Sequence, residues 1–322
     1  MRPLRLIPRK TEIVFIAFRR WAFGASLVGV LAALALFAVK GLNYGIDFRG
    51  GIMIEVRLEG PAALGRMRAA LGGLGLGEVA LQEFGEPTDV LIRVQRQEGG
   101  EAAQQRAVAV VKEALAGEVG GRIDYRRVEF VGPKVSRELV LAGTIAVLAA
   151  VVAMLVYIWF RFEWQFSIGA VLALVHDVAL TIGMFSLTGL EFNLSIIAAI
   201  LTIVGYSMND TVVVYDRVRE NLRKYKAMDL GPLLDLSINE TLARTTMTSL
   251  TTLLALFSLY LFGGEVIAGF TLAMIWGVVV GTYSSIFVAA PLLLYVNPRR
   301  AAVPARAAGA AGEGERTGAG GP

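Results

Sequence analysis

Long apolar runs separated by short charged clusters dominate the pattern of this 322-residue chain. A helix rises about 1.5 Å per residue, so a run of roughly 17–25 apolar residues can cross a hydrocarbon core of ~30 Å. Six runs are long enough: 21–39, 139–160, 165–187, 192–215, 245–262 and 266–296. The pattern therefore predicts a polytopic α-helical membrane protein with six transmembrane helices.

The segment between the first two runs, 40–138, has a different pattern. Apolar and polar residues alternate at 52–58, which is typical of a strand, whereas 61–74 and 101–116 have helical spacing. Further strands are predicted at 78–84, 89–95 and 122–130. The resulting order, β-α-β-β-α-β, predicts one α+β domain outside the membrane with the split βαβ arrangement.

Composition excludes an ordinary soluble protein. The chain is 55% hydrophobic with a mean hydropathy of +0.60, and only 18% of its residues are charged. Cysteine is absent, which excludes disulfides and thiolate metal sites, and His176 is the single histidine. We therefore expect no metal or cofactor.

Basic residues beside the runs predict the orientation, because short cytoplasmic flanks carry an excess of Lys and Arg. They are Arg2, Arg5, Arg9, Lys10, Arg19 and Arg20, then Arg217, Arg219, Arg223, Lys224, Lys226 and Arg244, and finally Arg299 and Arg300. The short connections at 188–191 and 263–265 contain no Lys or Arg. Residues 1–20 and 299–322 are thus predicted to be cytoplasmic. The domain at 40–138 is predicted to lie on the external (periplasmic) side of the cytoplasmic (inner) membrane.

Two polar stretches complete the predicted organisation. Residues 216–244 lie within the predicted membrane region 139–298 and have charges at helical spacing, which predicts an amphipathic cytoplasmic loop. The alternative for this loop is a solvated hairpin whose basic residues serve only the orientation. The tail at 299–322 is rich in Ala, Gly, Pro and Arg without periodicity, and we expect it to be disordered.

Asp210 lies inside the fourth run, where an aspartate costs roughly 2.5–3.5 kcal/mol on insertion scales. Thr202, Tyr206 and Asp210 follow at i, i+4 and i+8 and share a helix face, with Gly205 and Asn209 beside it. Polar stripes in membrane helices face a bundle interior or water, so Asp210 is predicted to handle a proton or another charge. The alternative is a helix-packing hydrogen bond, which serine or threonine would provide at lower cost.

Arg244 is the predicted partner of Asp210. It directly precedes the fifth run, on the side of the membrane where the fourth run ends. The side chains of Asp210 and Arg244 are therefore expected at similar depth. Thr248, Thr251 and Thr252 continue its face along the helix. The alternative is that Arg244 anchors the helix at lipid headgroups.

Asp177 lies near the middle of the third run. Gly169, Ala173, Asp177 and Thr181 recur at a spacing of four, which allows another helix to approach closely. Asp177 is predicted to be either a second proton site or a structural pair for a neighbouring helix. The adjacent His176 is either a buried hydrogen-bonding group or a member of a proton relay.

A short motif, Gly-Ile-Asp-Phe-Arg-Gly-Gly at 45–51, follows the first run. Aspartate and paired glycines suit a tight connection where the chain leaves the membrane and enters a strand. Asp47, Phe48, Gly50 and Gly51 are therefore predicted to form a structural hinge.

Five motifs together resemble the SecF branch of the SecD/SecF family of protein-export membrane proteins. The segment at 45–51 resembles the D-F-x-G-G element at the domain entrance of that family. The membrane motifs are LVHDV at 174–178, GYSMNDTVVVYDR at 205–217 and RTTMTS at 244–249, and Phe262-Gly-Gly264 resembles the outer hairpin. The similarity covers about residues 20–297, in order and with the six-span layout of the family.

The resemblance implies an accessory subunit of the Sec export channel that uses the proton-motive force to pull exported polypeptide outward. Implied partners are SecD, the SecYEG channel, YidC and YajC, exported polypeptides and the lipid bilayer, but not nucleic acid. The domain at 40–138 would be ferredoxin-like. Asp210 would carry the proton and Arg244 would be its charge partner, with Asn209, Asp177 and His176 completing the coupling site. Arg49 stands where many relatives have a small polar residue, so its side chain is assigned no role.

Two other functions compete with protein export. A small-molecule exporter of the resistance-nodulation-division (RND) superfamily usually has larger or duplicated external domains and twice as many spans. An intramembrane aspartyl protease would use Asp177 and Asp210, but its Gly-x-Gly-Asp motif is absent, since Ser-Met-Asn precedes Asp210.

Overall fold

The computed structural model describes residues 11–77, 79–119, 122–264, 267–296 and 298. Within these residues, six helices are long and apolar enough to cross a membrane, which confirms the predicted number of spans. The basic residues at 2–10, the first residue of the sixth predicted run and the tail at 299–322 lie outside the described residues.

The elements follow one another as α1 (Arg19–Lys40), β1 (Asn43–Tyr44), α2 (Ile46–Arg49), β2 (Gly51–Leu58), α3 (Leu64–Gly72), β3 (Val79–Phe84), β4 (Glu86–Val94), α4 (Gly100–Val119), β5 (Ile123–Val131), α5 (Pro133–Arg161), α6 (Trp164–Thr188), β6 (Glu191–Phe192), α7 (Leu194–Lys224), α8 (Leu230–Phe262), α9 (Ala268–Ser284) and α10 (Ala290–Val296). A 3-10 turn precedes α1, and a π-helical turn, Ser285–Ala289, joins α9 to α10. Helices α1 and α5–α10 form a bundle, and β2–β5 with α3 and α4 form an α+β domain.

The helices at the end of the bundle away from the α+β domain are longer than their apolar runs. Where the sequence predicted a loop at 216–244, α7 continues to Lys224 and α8 begins at Leu230, so only a short turn connects them. Asn221 Nδ2 donates to Ser237 Oγ (3.0 Å) and to Glu240 Oε2 (2.8 Å) between the two extensions. The apolar run ends where the hydrocarbon core ends. A helix whose polar side chains are hydrogen-bonded within the protein can continue beyond that point.

Three helices form the inside of the bundle. The most apolar parts of α6, α7 and α9 are half or more buried, whereas those of α1, α5 and α8 are mostly exposed. Helices α7 and α9 approach closely because α9 presents glycine to α7: a Cβ on Gly281 would lie 2.9 Å from Ser207 Cβ, and one on Gly277 would overlap Ile203. This is the small-residue packing that lets membrane helices come together.

The α+β domain has the predicted element order, although its first helix is shorter than the predicted 61–74. Its four antiparallel strands lie in the order β3-β4-β2-β5. Alternate residues of the central strand β2, Ile52, Ile54 and Val56, are fully buried against the apolar faces of α3 and α4. The domain therefore has its own hydrophobic core, separate from that of the bundle.

An ion pair on the sheet adds a pH-dependent contribution to this domain. Arg57 donates from Nε to Asp89 Oδ1 (2.6 Å) and from Nη2 to Asp89 Oδ2 (2.5 Å). Hydrogen bonds from Arg57 lower the pKa of the Asp89 carboxyl below its ordinary value, against burial, which raises it. A lowered carboxyl pKa stabilises the fold above the unfolded pKa, and this contribution is lost as the pH falls through the folded pKa.

We expect Asp89→Asn to lower the melting temperature of the α+β domain at neutral pH and to flatten its acid dependence. The measurement is thermal unfolding of the intact protein by circular dichroism at stepped pH between neutral and 3. Glu113→Gln, which changes an exposed glutamate of α4 away from this ion pair, is the matched control and should leave the acid dependence in place. Equal acid dependence in wild type and Asp89→Asn would contradict the assignment.

The α7–α9 contact makes a second prediction. Gly281→Ala should destabilise the detergent-solubilised protein by about 1–3 kcal/mol, since the added methyl has no room against Ser207. Gly24→Ala in α1, where a Cβ meets nothing within 4 Å, should change stability by less than about 0.5 kcal/mol. Equal melting temperatures of the two variants would show that the helices are not in close contact.

Candidate functional site

Asp210 lies on α7 and is 2% exposed, so the structure places it inside the bundle. Its Oδ2 has no hydrogen-bond partner among the described residues. The groups on α8 that act on it are the charge of Arg244 and the hydroxyl of Ser249. A buried carboxylate oxygen without a partner is costly, so packing alone does not account for Asp210 at this position.

The predicted partner Arg244 does not contact Asp210 in this conformation. No ion pair within 4.0 Å joins the two side chains in the described part of the chain, and Arg244 is exposed on α8. Arg244 is therefore placed to act on an ionised Asp210 by longer-range attraction, without contact. The sequence placed Arg244 on the correct neighbouring helix but could not specify the direction of its side chain.

The polar stripe of α7, expected to face a bundle interior or water, is divided between the interior, where Asp210 lies, and the surface of this chain. Thr202 and Asn209 are exposed, and a Cβ on Gly205 would meet nothing within 4 Å. Tyr206 is half-buried, and its hydroxyl has no partner among the described residues. Helix α7 packs on α9 through Ile203 and Ser207, which leaves Thr202 and Asn209 uncovered.

Asp177 is the carboxylate that the structure surrounds with partners. It is 1% exposed, and its Oδ2 accepts hydrogen bonds from Ser207 Oγ of α7 (2.5 Å) and Ser284 Oγ of α9 (2.7 Å). His176 Nδ1 lies 2.9 Å from Asp177 Oδ1. One side chain thus joins α6, α7 and α9, as expected of a structural pair, and the predicted small-residue face of α6 is buried.

His176 is held between Asp177 and an aromatic ring. Its imidazole stacks on Tyr283 with ring centroids 6.1 Å apart, and Tyr283 Oη donates to the Ala22 carbonyl (3.1 Å) of α1. The Nε2 atom of His176 has no partner in the described part of the structure. This geometry fits the buried hydrogen-bonding alternative for His176, and its free Nε2 leaves the relay role as a prediction.

Sequence reasoning missed the hydroxyl groups of the last span. Ser285 Oγ lies 2.9 Å from Thr211 Oγ1, Thr282 Oγ1 lies 2.7 Å from Ser249 Oγ, and Tyr215 Oη donates to the Ala289 carbonyl (3.0 Å). The π-helical turn lies between these contacts, two residues before Pro291, whose ring nitrogen cannot donate to the helix. The adjacent serines 284 and 285 followed by a proline were the available signal.

The motif at 45–51 forms the tight connection predicted for it. Its residues 46–49 make one helical turn, after which Gly50 and Gly51 adopt φ of 73° and 139°, a region that favours glycine. A Cβ on Gly51 would lie 2.7 Å from the Val94 carbonyl of β4. Asp47 Oδ2 accepts from the backbone N–H of Leu194 (2.9 Å), the first residue of α7. The ring of Phe48 packs on Tyr44 and Phe192.

Within the described residues, no group of three or more His, Asp or Glu side chains could hold a metal ion. The fold and the site together define a multi-pass membrane protein with one inserted α+β domain and buried carboxylates between its inner helices.

The comparisons with known proteins specify the family. Residues 110–299 match the family model of the protein export membrane protein SecD/SecF, C-terminal, and residues 35–62 match that of the SecD/SecF GG motif. The chain belongs to the SecD/SecF family of protein-export membrane proteins. It is 48% identical over 296 residues to the protein translocase subunit SecF of Rickettsia rickettsii, covering 92% of this chain and 96% of that one. The corresponding protein of Rickettsia felis is also 48% identical, over 298 residues, with the same shares covered.

Solved structures of SecDF have the same fold. The crystal structure of SecDF, a translocon-associated membrane protein from Thermus thermophilus, superposes with a TM-score of 0.80 at 36% identity, over 91% of this chain. A crystal structure of SecDF in a super-membrane-facing form gives a TM-score of 0.66 at 34% identity, over 93% of this chain. This chain spans 39% and 40% of those longer chains.

The Asp177 contacts make a third prediction. Ser284→Ala removes a donor to a buried carboxylate and should destabilise the solubilised protein by about 1–2 kcal/mol, at the upper end for hydrogen bonds between membrane helices. Ser186→Ala is the matched control on α6, because the buried Ser186 hydroxyl has no partner among the described residues. Its melting temperature should be unchanged or raised. A Ser284→Ala protein as stable as wild type would show that Asp177 does not hold the helices together.

Proposed function

We propose that this chain is an accessory subunit of the Sec translocase that works with SecD and uses the proton-motive force to promote late steps of protein export. Its relatives are named protein translocase subunits, and the matching structures are of SecDF. The observation that carries the proton-driven part is Asp210, a buried intramembrane carboxylate with one oxygen unpartnered among the described residues.

The coupling works through the charge of Asp210. The conformation described above, with no ion pair to Arg244, corresponds to the protonated carboxyl, whose burial is less costly than that of a carboxylate. Loss of the proton leaves a negative charge that the nearby Arg244 attracts, and this favours a shift between α7 and α8. One charge that crosses 100 mV provides about 2.3 kcal/mol, so a few protons can drive a conformational cycle.

SecD is proposed to cover the uncovered face of α7 and α8. Thr202, Asn209 and Arg244 are exposed on this chain, and polar groups at membrane depth are costly against lipid. A second membrane protein that packs against this face would supply partners for them and complete the proton site around Asp210. The same assembly is proposed to act beside the SecYEG channel, with YidC and YajC as further partners and exported polypeptide as the client.

The orientation follows from the two ends of the bundle. Arg217, Arg219, Arg223 and Lys224 lie at the end of α7 away from the α+β domain, which supports a cytoplasmic location for that end. Both termini are then cytoplasmic, and the α+β domain is on the outer side of the cytoplasmic membrane. Its element order and its sheet order β3-β4-β2-β5 support the ferredoxin-like assignment.

The test replaces Asp210 with Asn, which keeps the shape and removes the titratable charge. Cells that carry Asp210→Asn should export a slow reporter protein as slowly as uncoupled wild-type cells, and an uncoupler should slow them little further. The variant must be present at wild-type levels and must still co-purify with SecD. A peptidase assay on a membrane-spanning peptide, with wild-type protein, separates export from the protease alternative.

Asp216→Asn is the matched control on the same helix. Asp216 is partly exposed and accepts from Arg161 Nη2 (2.8 Å), away from the interior of the bundle. Its substitution should leave both export and the uncoupler response unchanged. Wild-type export and a wild-type uncoupler response in Asp210→Asn would overturn the proposal. Asp177 would then be the next candidate for the proton-carrying residue.

A further inference from the structure

We propose that Asp47 is a positioning residue that clamps the entrance of the α+β domain to the first turn of α7, so that the base of the domain and the helix carrying Asp210 move as one body. The inference rests on the proposed function for its meaning in export. The clamp itself is a structural contact, and it can be tested without a measurement of export.

The first part of the clamp is a helix cap from outside the helix. The first four N–H groups of an α-helix have no partner within it, and the helix N-terminus attracts negative charge. Asn193, the residue before α7, accepts from the Ile196 N–H through its own Oδ1 (3.3 Å). Asp47 Oδ2 accepts from the Leu194 N–H (2.9 Å), although it lies 147 residues earlier in the chain. The motif at the domain entrance therefore supplies a second cap, to an N–H group that the local cap Asn193 does not bind.

Backbone pairing holds the same two segments side by side. Strands β1 and β6 form a short parallel ladder with Asn43 opposite Glu191 and Tyr44 opposite Phe192. The Gly45 N–H donates to the Phe192 carbonyl (2.9 Å), directly before the turn that holds Asp47. The Phe192 ring packs edge-on against Tyr44 and Phe185, which fills the space behind the ladder.

A second attachment comes from the sheet itself. Arg93 of β4 forms an ion pair with Glu191 of β6, and both side chains are largely buried. Burial and the neighbouring charge of Arg49 lower the pKa of the Arg93 guanidinium, so Glu191 compensates a cation that would otherwise be costly there. The domain thus contacts residues 191–194 both through its entrance and through a central strand of its sheet.

The attached helix reaches Asp210 without interruption. Helix α7 is continuous over Leu194–Lys224, and Asp210 lies about 24 Å along it from the capped end at 1.5 Å per residue. A shift of α7 that follows the charge of Asp210 therefore displaces residues 191–194. Because the clamp attaches these residues to the domain, the displacement passes to the domain rather than to a loose loop.

The test measures one distance in a chain that has no native cysteine. Arg66→Cys on α3 and Ser195→Cys on α7 place spin labels at two exposed positions, on the domain and on the first turn of the helix. In the full chain with SecD, we expect one narrow distance distribution that Asp210→Asn leaves unchanged. In Asp47→Ala, the ratio of molecules at the clamped distance to molecules at all other distances should fall about fivefold. That is the equilibrium factor for loss of a typical ~1 kcal/mol helix cap.

Asp47→Asn should restore the narrow distribution, because an Asn side chain also accepts from a helix N–H. Asp124→Ala, an exposed aspartate of the same domain, should leave the distribution as in wild type. In cells, Asp47→Ala should slow reporter export while Asp47→Asn exports nearly normally, at equal protein levels.

Two results would overturn the clamp. A distance that shifts with Asp210→Asn while Asp47 is intact would show a movable joint between α7 and the domain. An unchanged narrow distance in Asp47→Ala would show that the carboxylate holds nothing in place. A narrow distance that Asp47→Ala broadens, together with wild-type export by Asp210→Asn, would leave the clamp intact and remove only the proton-driven function.

Discussion

The hydrogen bonds that converge on Asp177 are the interaction on which the bundle depends. One carboxylate accepts from Ser207 of α7 and from Ser284 of α9 while it belongs to α6, so it joins the three helices that form the inside of the protein. Lipid tails are as apolar as leucine, so apolar burial provides little force between membrane helices. Close packing through Gly277 and Gly281, together with these polar contacts, holds the inner helices together instead of apolar burial.

The two buried aspartates have opposite hydrogen-bonding environments. Asp177 has hydrogen-bond partners on both oxygens once the His176 imidazole is included, so its surroundings hold it in one position. Asp210 is equally buried, but one of its oxygens is unpartnered and its cationic neighbour Arg244 lies beyond contact distance. A group that gains a partner only after a movement is suited to drive that movement.

The α+β domain and the bundle have separate hydrophobic cores and meet at a small polar and aromatic junction. Asp47, Glu191 and Arg93 supply its charged contacts, and Phe48 and Phe192 supply its packing. Two such bodies would ordinarily be free to move relative to one another. The junction connects the domain to the end of α7, so the helix that carries the buried Asp210 is also the helix attached to the domain.

The sequence by itself determined the six spans, the order of elements in the α+β domain and the identity of the buried carboxylates. These follow from local properties, namely apolar length, the period of alternation and the cost of charge in hydrocarbon. The tertiary structure alone decided which aspartate is satisfied, since Ser207 and Ser284 are ordinary small residues until α7 and α9 pack on α6. It also decided that Asp47 caps a helix 147 residues away, because a cap from a distant segment leaves no local pattern.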